Sequence, residues 1–252
     1  MEWYYYIIVV LGSFLAGGIN TLAGNGSVIT LSILTELLGL PGNVANGTNR
    51  VGVLFNGLGG VWGFHRGGKM QLKGSGGLLI CVIAGSVAGG VVAILMTDAQ
   101  FMTLYKVLMV VMLVVILVRP SRWLIKTRME SAVPGWVLWS CYFLLGVYGG
   151  LIQMGMGIFF LAVLVLLSRI PVIEANAIKI FTVTIYTILV IVLFEIQGLI
   201  DWEIGLMMGV GQFAGGWITA RTASRYPGAD KWAYYVLIII VVVSVLSLFG
   251  IF

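Results

Sequence analysis

Two clusters of amide and cationic side chains sit in otherwise apolar sequence, and their spacing matches. The first is Asn46-Gly47-Thr48-Asn49-Arg50 and the second Asn176-Ala177-Ile178-Lys179. A separation of three residues puts Asn46 with Asn49, and Asn176 with Lys179, on one face of a helix. Asparagine amides either cap a helix start or donate to an anion. A lysine or arginine inside a membrane segment is rare and usually functional, although both side chains can also snorkel to the interface. Together these residues make a cationic, donor-rich centre suited to an anion. Thr48 and Thr182 either line that centre or bond their own helix.

Each cluster follows a proline, Pro41 or Pro171, and a glycine-broken apolar stretch. The first stretch contains Gly17-Gly18-Ile19-Asn20 and Gly24-Asn25-Gly26-Ser27. The second contains Gly146-Val147-Tyr148-Gly149-Gly150 and Gln153-Met154-Gly155-Met156-Gly157. An unwound turn in a membrane strands backbone N–H and C=O groups unless a cavity, ion or neighbour satisfies them. Gly24, Gly26, Gly155 and Gly157 permit such turns and a close approach to a ligand. Helices restarting at Ser27 and Ile158 would present free N–H groups and partial positive charge. The candidate binding set is therefore Asn20, Gly24, Asn25, Gly26, Ser27, Asn46, Thr48, Asn49, Arg50, Gln153, Gly155, Gly157, Asn176 and Lys179. Small residues can instead serve close helix packing, the reading favoured for Gly85-x-x-x-Gly89, Gly205-x-x-x-Gly209 and Gly211-x-x-x-Gly215. Matched glycine breaks in two hydrophobic halves point to a transporter's midplane site.

Composition agrees. The chain is 252 residues, 60% hydrophobic and only 9% charged, where a soluble domain carries about 25% charged residues. Apolar runs at 49–64, 74–96, 101–118, 177–196, 204–220 and 232–249 are each near the ~20 residues of a membrane crossing. The runs 5–40 and 136–170 are too long for one crossing, and each reads as two shorter helices around a glycine turn. The apolar start lacks a basic n-region, so no cleavable signal is expected. The net charge of +5 sets topology rather than marking a nucleic-acid face.

Charge decides how the long runs thread. If each is a hairpin that enters and leaves on one side, then Arg66, Lys69, Lys73, Arg119, Arg122, Lys126, Arg128, Arg169, Arg221, Arg225 and Lys231 share one face. Glu2, Asp98, Asp201 and Glu203 take the other, and the positive-inside rule prefers this arrangement to single tilted crossings. The expected fold is an all-α integral membrane protein of two inverted repeats, each a glycine-broken helical hairpin plus three transmembrane helices. Residues 1–118 form the first repeat, 119–134 a basic cytoplasmic linker and 135–252 the second. The N-terminus lies outside a multi-pass inner, or cell, membrane.

Other chemistry is not supported. There is no P-loop, Cys81 and Cys141 read as core packing, and the single histidine, His65, reads as interfacial. No enzyme activity, metal or cofactor is expected. Glu36 and Glu195 are candidates for proton coupling, with interfacial placement preferred for both. A proton or sodium ion as coupling partner stays open, and small size and apolar surfaces allow a homodimer.

The motifs resemble those of the sulfite exporter TauE/SafE family of membrane permeases. The resemblance covers nearly the whole chain. It rests on Ala16-Gly17-Gly18-Ile19-Asn20 with Gly24-x-Gly26, on Ala45 to Arg50, on Gly146 to Gly150, on Ala175 to Lys179 and on Gly209 to Arg221. It implies movement of sulfite or organosulfonates across the cytoplasmic membrane. The residues themselves point only to an anion-suited site, and leave a passive anion channel or a permease for another small solute as alternatives.

Overall fold

The computed structural model describes residues 3–68, 70, 72, 74–117 and 133–222, together with 242 and 246. Among them the chain is helical, with no strand. The helices are α1 (Trp3–Ala23), α2 (Gly26–Ser32), α3 (Gly42–Arg66), α4 (Gly76–Leu95), α5 (Asp98–Leu117), α6 (Gly135–Leu151), α7 (Met156–Ala162), α8 (Val172–Ile196) and α9 (Trp202–Thr222). Most of the expected span 232–249, most of the basic linker 119–134, and Lys69, Lys73, Arg225 and Lys231 lie outside the described residues. Of the other five expected spans, 49–64, 177–196 and 204–220 fall within α3, α8 and α9, while 74–96 and 101–118 overrun α4 and α5 by one or two residues. Among the described residues, three helices are long and apolar enough to cross a membrane by length and composition, over Tyr4–Thr21, Gly76–Leu95 and Glu174–Ile196.

The long apolar runs fold back as hairpins with unequal limbs. A Cβ on Gly26 would meet Ala16 and Asn20, and one on Gly12 would meet Ile33, so α2 returns antiparallel along α1. In the second run, the Tyr142 hydroxyl lies 2.7 Å from Ser168 Oγ, and Gly149 packs near Met156. Each run forms two helices around its glycine break, and the limbs are unequal. The break comes late in the first run, leaving α1 with 21 residues, about 31 Å at the α-helical rise. Only the returning limbs are short.

Those returning limbs are built alike. Both α2 and α7 have 7 residues and pass into a five-residue π-helical turn, Ile33–Leu37 or Val163–Leu167. The turn closes with Leu38 N–H to Ile33 C=O at 3.0 Å and Leu40 to Leu34 at 2.9 Å. It is repeated by Ser168 to Val163 at 3.0 Å and Ile170 to Leu164 at 2.9 Å. Pro41 and Pro171 then start α3 and α8, both 25 residues long, because proline's fixed φ suits a helix start and its missing N–H is not needed there.

Packing joins helices from the two ends of the sequence. One bundle contains α1, α3 and α9, another α4, α6 and α8, and α3 touches α8 between them. Gly211 and Gly215 of α9 meet the Val10 and Phe14 carbonyls of α1, while Gly85 and Gly89 of α4 meet those of Phe143 and Val147 on α6. Gly205 and Gly209 face Val51 and Phe55. All three small-residue pairs thus serve helix packing, as expected.

The two ends of the molecule differ in charge. Glu203 accepts from the Tyr6 hydroxyl at 3.3 Å, and Asp98 accepts from the Gly42 N–H, near the starts of α1 and α3. Arg66 and Arg221 end α3 and α9, where Trp62 and Trp217 stack at 5.8 Å. Arg169 follows Ser168, which is bonded to Tyr142 in the first half of α6. Accordingly α3 starts at the acidic end, and α8 ends there: the Asp201 N–H beyond it donates to Thr48 of α3 at 2.9 Å.

Candidate functional site

The two hairpin breaks touch. At the first, the chain turns through Gly24 (φ 77°) and Asn25. At the second, Ile152 is extended and Gly155 is left-handed, with φ 70°. The helices restart at Gly26 and Met156, one and two residues before the expected Ser27 and Ile158. Gly157 N–H donates to Gly24 C=O at 3.1 Å. A Cβ on either glycine would overlap the other's backbone, so the contact requires both residues to lack one. From here α2 runs toward the acidic end and α7 toward the basic end.

Around this contact, each half lends its cation to the other half's break. Lys179 of α8 is 3% exposed. Its Nζ donates to Asn176 Oδ1 at 2.9 Å and to the Asn20 backbone carbonyl, across the interface, at 3.4 Å. Arg50 of α3 is wholly buried. Its guanidinium donates to the carbonyls of Gly149 and Gly150, the latter at 2.8 Å, to Gln153 Oε1 at 3.1 Å and to Asn46 Oδ1 at 3.3 Å. Among the described residues neither cation has a carboxylate partner.

The two cavity amides instead bond within their own halves. Asn20 donates to Asn56 Oδ1 at 2.7 Å, and Gln153 donates through Nε2 to the Tyr186 hydroxyl at 3.2 Å. Asn56 in turn bridges α1 and α9, donating to Gly17 C=O at 2.9 Å and to Gln212 C=O at 3.2 Å. Asn56, Tyr186 and Gln212 were not in the candidate set. A second amide in the apolar run 49–64, seven residues after Asn49, was the available signal for Asn56, since a buried amide must find partners.

A cavity of about 20 Å³ opens beside the touching breaks. Its lining includes Asn20, Asn56, Gln153, Gly157 and Lys179, closed by apolar atoms of Val53, Met156 and Ile180. That volume holds about one water molecule. Of the expected set, the structure brings Asn20, Gln153, Gly157 and Lys179 to this cavity. Gly24 lies behind Gly157, and Asn176 holds Lys179.

The remaining candidates sit around the breaks without lining the cavity. Asn46 Nδ2 bonds Leu151 C=O at 2.9 Å, and Thr48 holds the Asp201 N–H. Asn49 Oδ1 accepts from Thr30 at 2.5 Å. Gly26 packs on α1, and Gly155 packs on Met112 and near Asn25 Oδ1. Both amide atoms of Asn25, Ser27 Oγ and Asn49 Nδ2 are buried without a hydrogen-bond partner. Each such group costs about 1–3 kcal/mol while unpaired. Glu36, exposed in part, accepts from Tyr105 at 3.4 Å, and Glu195 accepts from Trp202 Nε1 at 2.7 Å beside the acidic end; neither lines the cavity.

The family profile for the sulfite exporter TauE/SafE matches residues 9–248. A Sinorhizobium sp protein described as "Probable membrane transporter protein ORF9" is 27% identical over 235 residues, covering 93% of this chain and 87% of its own. No solved structure matches. A motif-bearing pair of broken hairpins, apolar helices long enough to span, and a profile match over almost the whole length place the chain in one group: it belongs to the sulfite exporter TauE/SafE family of membrane transporters.

Proposed function

We propose that the protein is a secondary transporter of a small sulfur-containing anion, sulfite or an organosulfonate, and that it exports by alternating access. The observation that carries this reading is the state of Lys179. An ammonium has three donors, and Lys179 has two partners, one of them at 3.4 Å. It faces a cavity shared with the amides of Asn20, Asn56 and Gln153. A cation and several amide donors without a carboxylate suit an oxyanion, whereas hard cations take carboxylate and carbonyl oxygens. Sulfite and sulfonates as the solute follow from the family's description.

The two halves act as inverted repeats. Their matched π turns, prolines and crossed cation bonds support this, as do α3 and α8 running in opposite directions. At about 20 Å³ the cavity is closed to an oxyanion, so the anion enters only when the Gly24–Gly157 contact parts. Parting also gives the unpaired donors of Asn25, Ser27 and Asn49 access to solute or water. The arginine-bearing end faces the cytoplasm by the positive-inside rule, and the N-terminus faces outward.

The test is thermal stability of the purified chain in detergent against sulfite, sulfate, thiosulfate, sulfoacetate, taurine, lactate and chloride. A ligand at a hundredfold excess over its dissociation constant adds about 2.7 kcal/mol of apparent stability. A selective shift with sulfite or a sulfonate, lost in Lys179→Ala, supports solute and site. A folded protein that responds to none of them refutes the reading. Unsaturable flux in proteoliposomes would favour a passive channel instead.

A further inference from the structure

Arg50 and Lys179 occupy related places, yet their bonding differs in a way that separates their roles. The paired nitrogens of a guanidinium carry four N–H donors, with a fifth on Nε. In Arg50 the four are engaged by Gly149 C=O, Gly150 C=O, Gln153 Oε1 and Asn46 Oδ1. Nε is buried without a partner, and Phe194 lies 5.6 Å from the guanidinium carbon. The fork has no donor left to offer a solute, and Arg50 does not line the cavity.

Of the groups the fork holds, Gln153 does line it. The Gly149 and Gly150 carbonyls belong to the last turn of α6, which loses its continuing helical N–H groups where Ile152 turns extended. A cation at that helix end satisfies them. Arg50 also fixes the Gln153 amide. A guanidinium only donates, so Oε1 must face it and Nε2 must point to Tyr186. We infer that Arg50 is a positioning residue, which sets the α6 end and the Gln153 amide and so shapes the anion cavity without touching the anion. This rests on the anion site proposed above.

The test is a double-mutant cycle on the full chain in detergent, with sulfite titrated against thermal stability. Arg50→Lys keeps the charge and loses the fork, while Gln153→Leu removes the group the fork positions. Each is expected to weaken sulfite about tenfold, and the double variant to be no weaker than the poorer single, because residues acting through one another are non-additive. Adding Lys179→Gln to either single is expected to multiply the losses. Sulfite affinity unchanged in Arg50→Lys, or fully multiplicative losses in the double variant, overturns the inference. Hydrogen exchange across residues 149–157 provides a readout without anion. It rises in Arg50→Lys if the fork clamps that end, and an unchanged rate counts against the clamp. Should the native protein ignore sulfite, the solute assignment falls while exchange still decides the clamp.

Discussion

Gly157 hydrogen-bonds Gly24 backbone to backbone at 3.1 Å, so the breaks in the two halves are held to each other. Neither residue can carry a side chain there, because each Cβ would fall on the other's main chain.

Gly24→Ala should therefore separate the breaks. Overpacking a tight site costs about 1–3 kcal/mol, and transport should fall with stability. Gly39→Ala is the control: its φ of 65° carries the same backbone strain as Gly24, but no atom lies within 4 Å of the new Cβ. It should cost about 1–2 kcal/mol from the backbone alone and leave transport intact. Thermal unfolding with proteoliposome flux distinguishes the two. Equal effects would show that the contact does not matter.

Lys179→Ala should weaken the transported anion about 10- to 100-fold, the value of a charge-assisted hydrogen bond of about 1.5–3 kcal/mol. The loss should appear as a raised half-saturation concentration in a flux assay. A loss confined to the maximal rate would assign Lys179 to gating instead.

Asn56→Leu should destabilise by about 2–4 kcal/mol. It removes the bonds to the Gly17 and Gln212 carbonyls and leaves the Asn20 amide without its acceptor, and an unpaired buried group costs about 1–3 kcal/mol. Asn56→Asp keeps the acceptor for Asn20 and should lie between. Chemical or thermal unfolding in detergent measures both; a neutral Asn56→Leu would mean that water replaces the amide.

Sidedness can be read with single cysteines in a chain whose Cys81 and Cys141 are replaced. A membrane-impermeant maleimide added to intact cells should label Asp98→Cys and spare Arg66→Cys, which should react only after the membrane is opened. The reverse pattern would invert the proposed orientation.

Much of this was legible in the sequence because glycine and proline act locally. Runs too long for one crossing and broken by glycines gave the hairpins, and Pro41 and Pro171 marked the helices after them. The restart at Met156 was misplaced by two residues, since the extended Ile152 carries no local signature. The crossed bonding of Arg50 and Lys179 could not be read, because Asn46 and Leu151, or Asn20 and Lys179, meet only through tertiary packing. Thr48 shows the same limit: beside the site in sequence, its hydroxyl is held by the Asp201 N–H.

The pairing of α1 with α9, and of α4 with α6, also bears on how the molecule is made. The glycine face of α9 that seats on Val10 and Phe14 is synthesised some 200 residues after them, about 10–40 s at ribosomal rates of about 5–20 residues per second. Until then α1 must wait in the bilayer with Val10, Phe14 and Gly17 uncovered by α9. Assembly is therefore post-insertional, and two fragments cut between α5 and α6 would each be orphaned until they met.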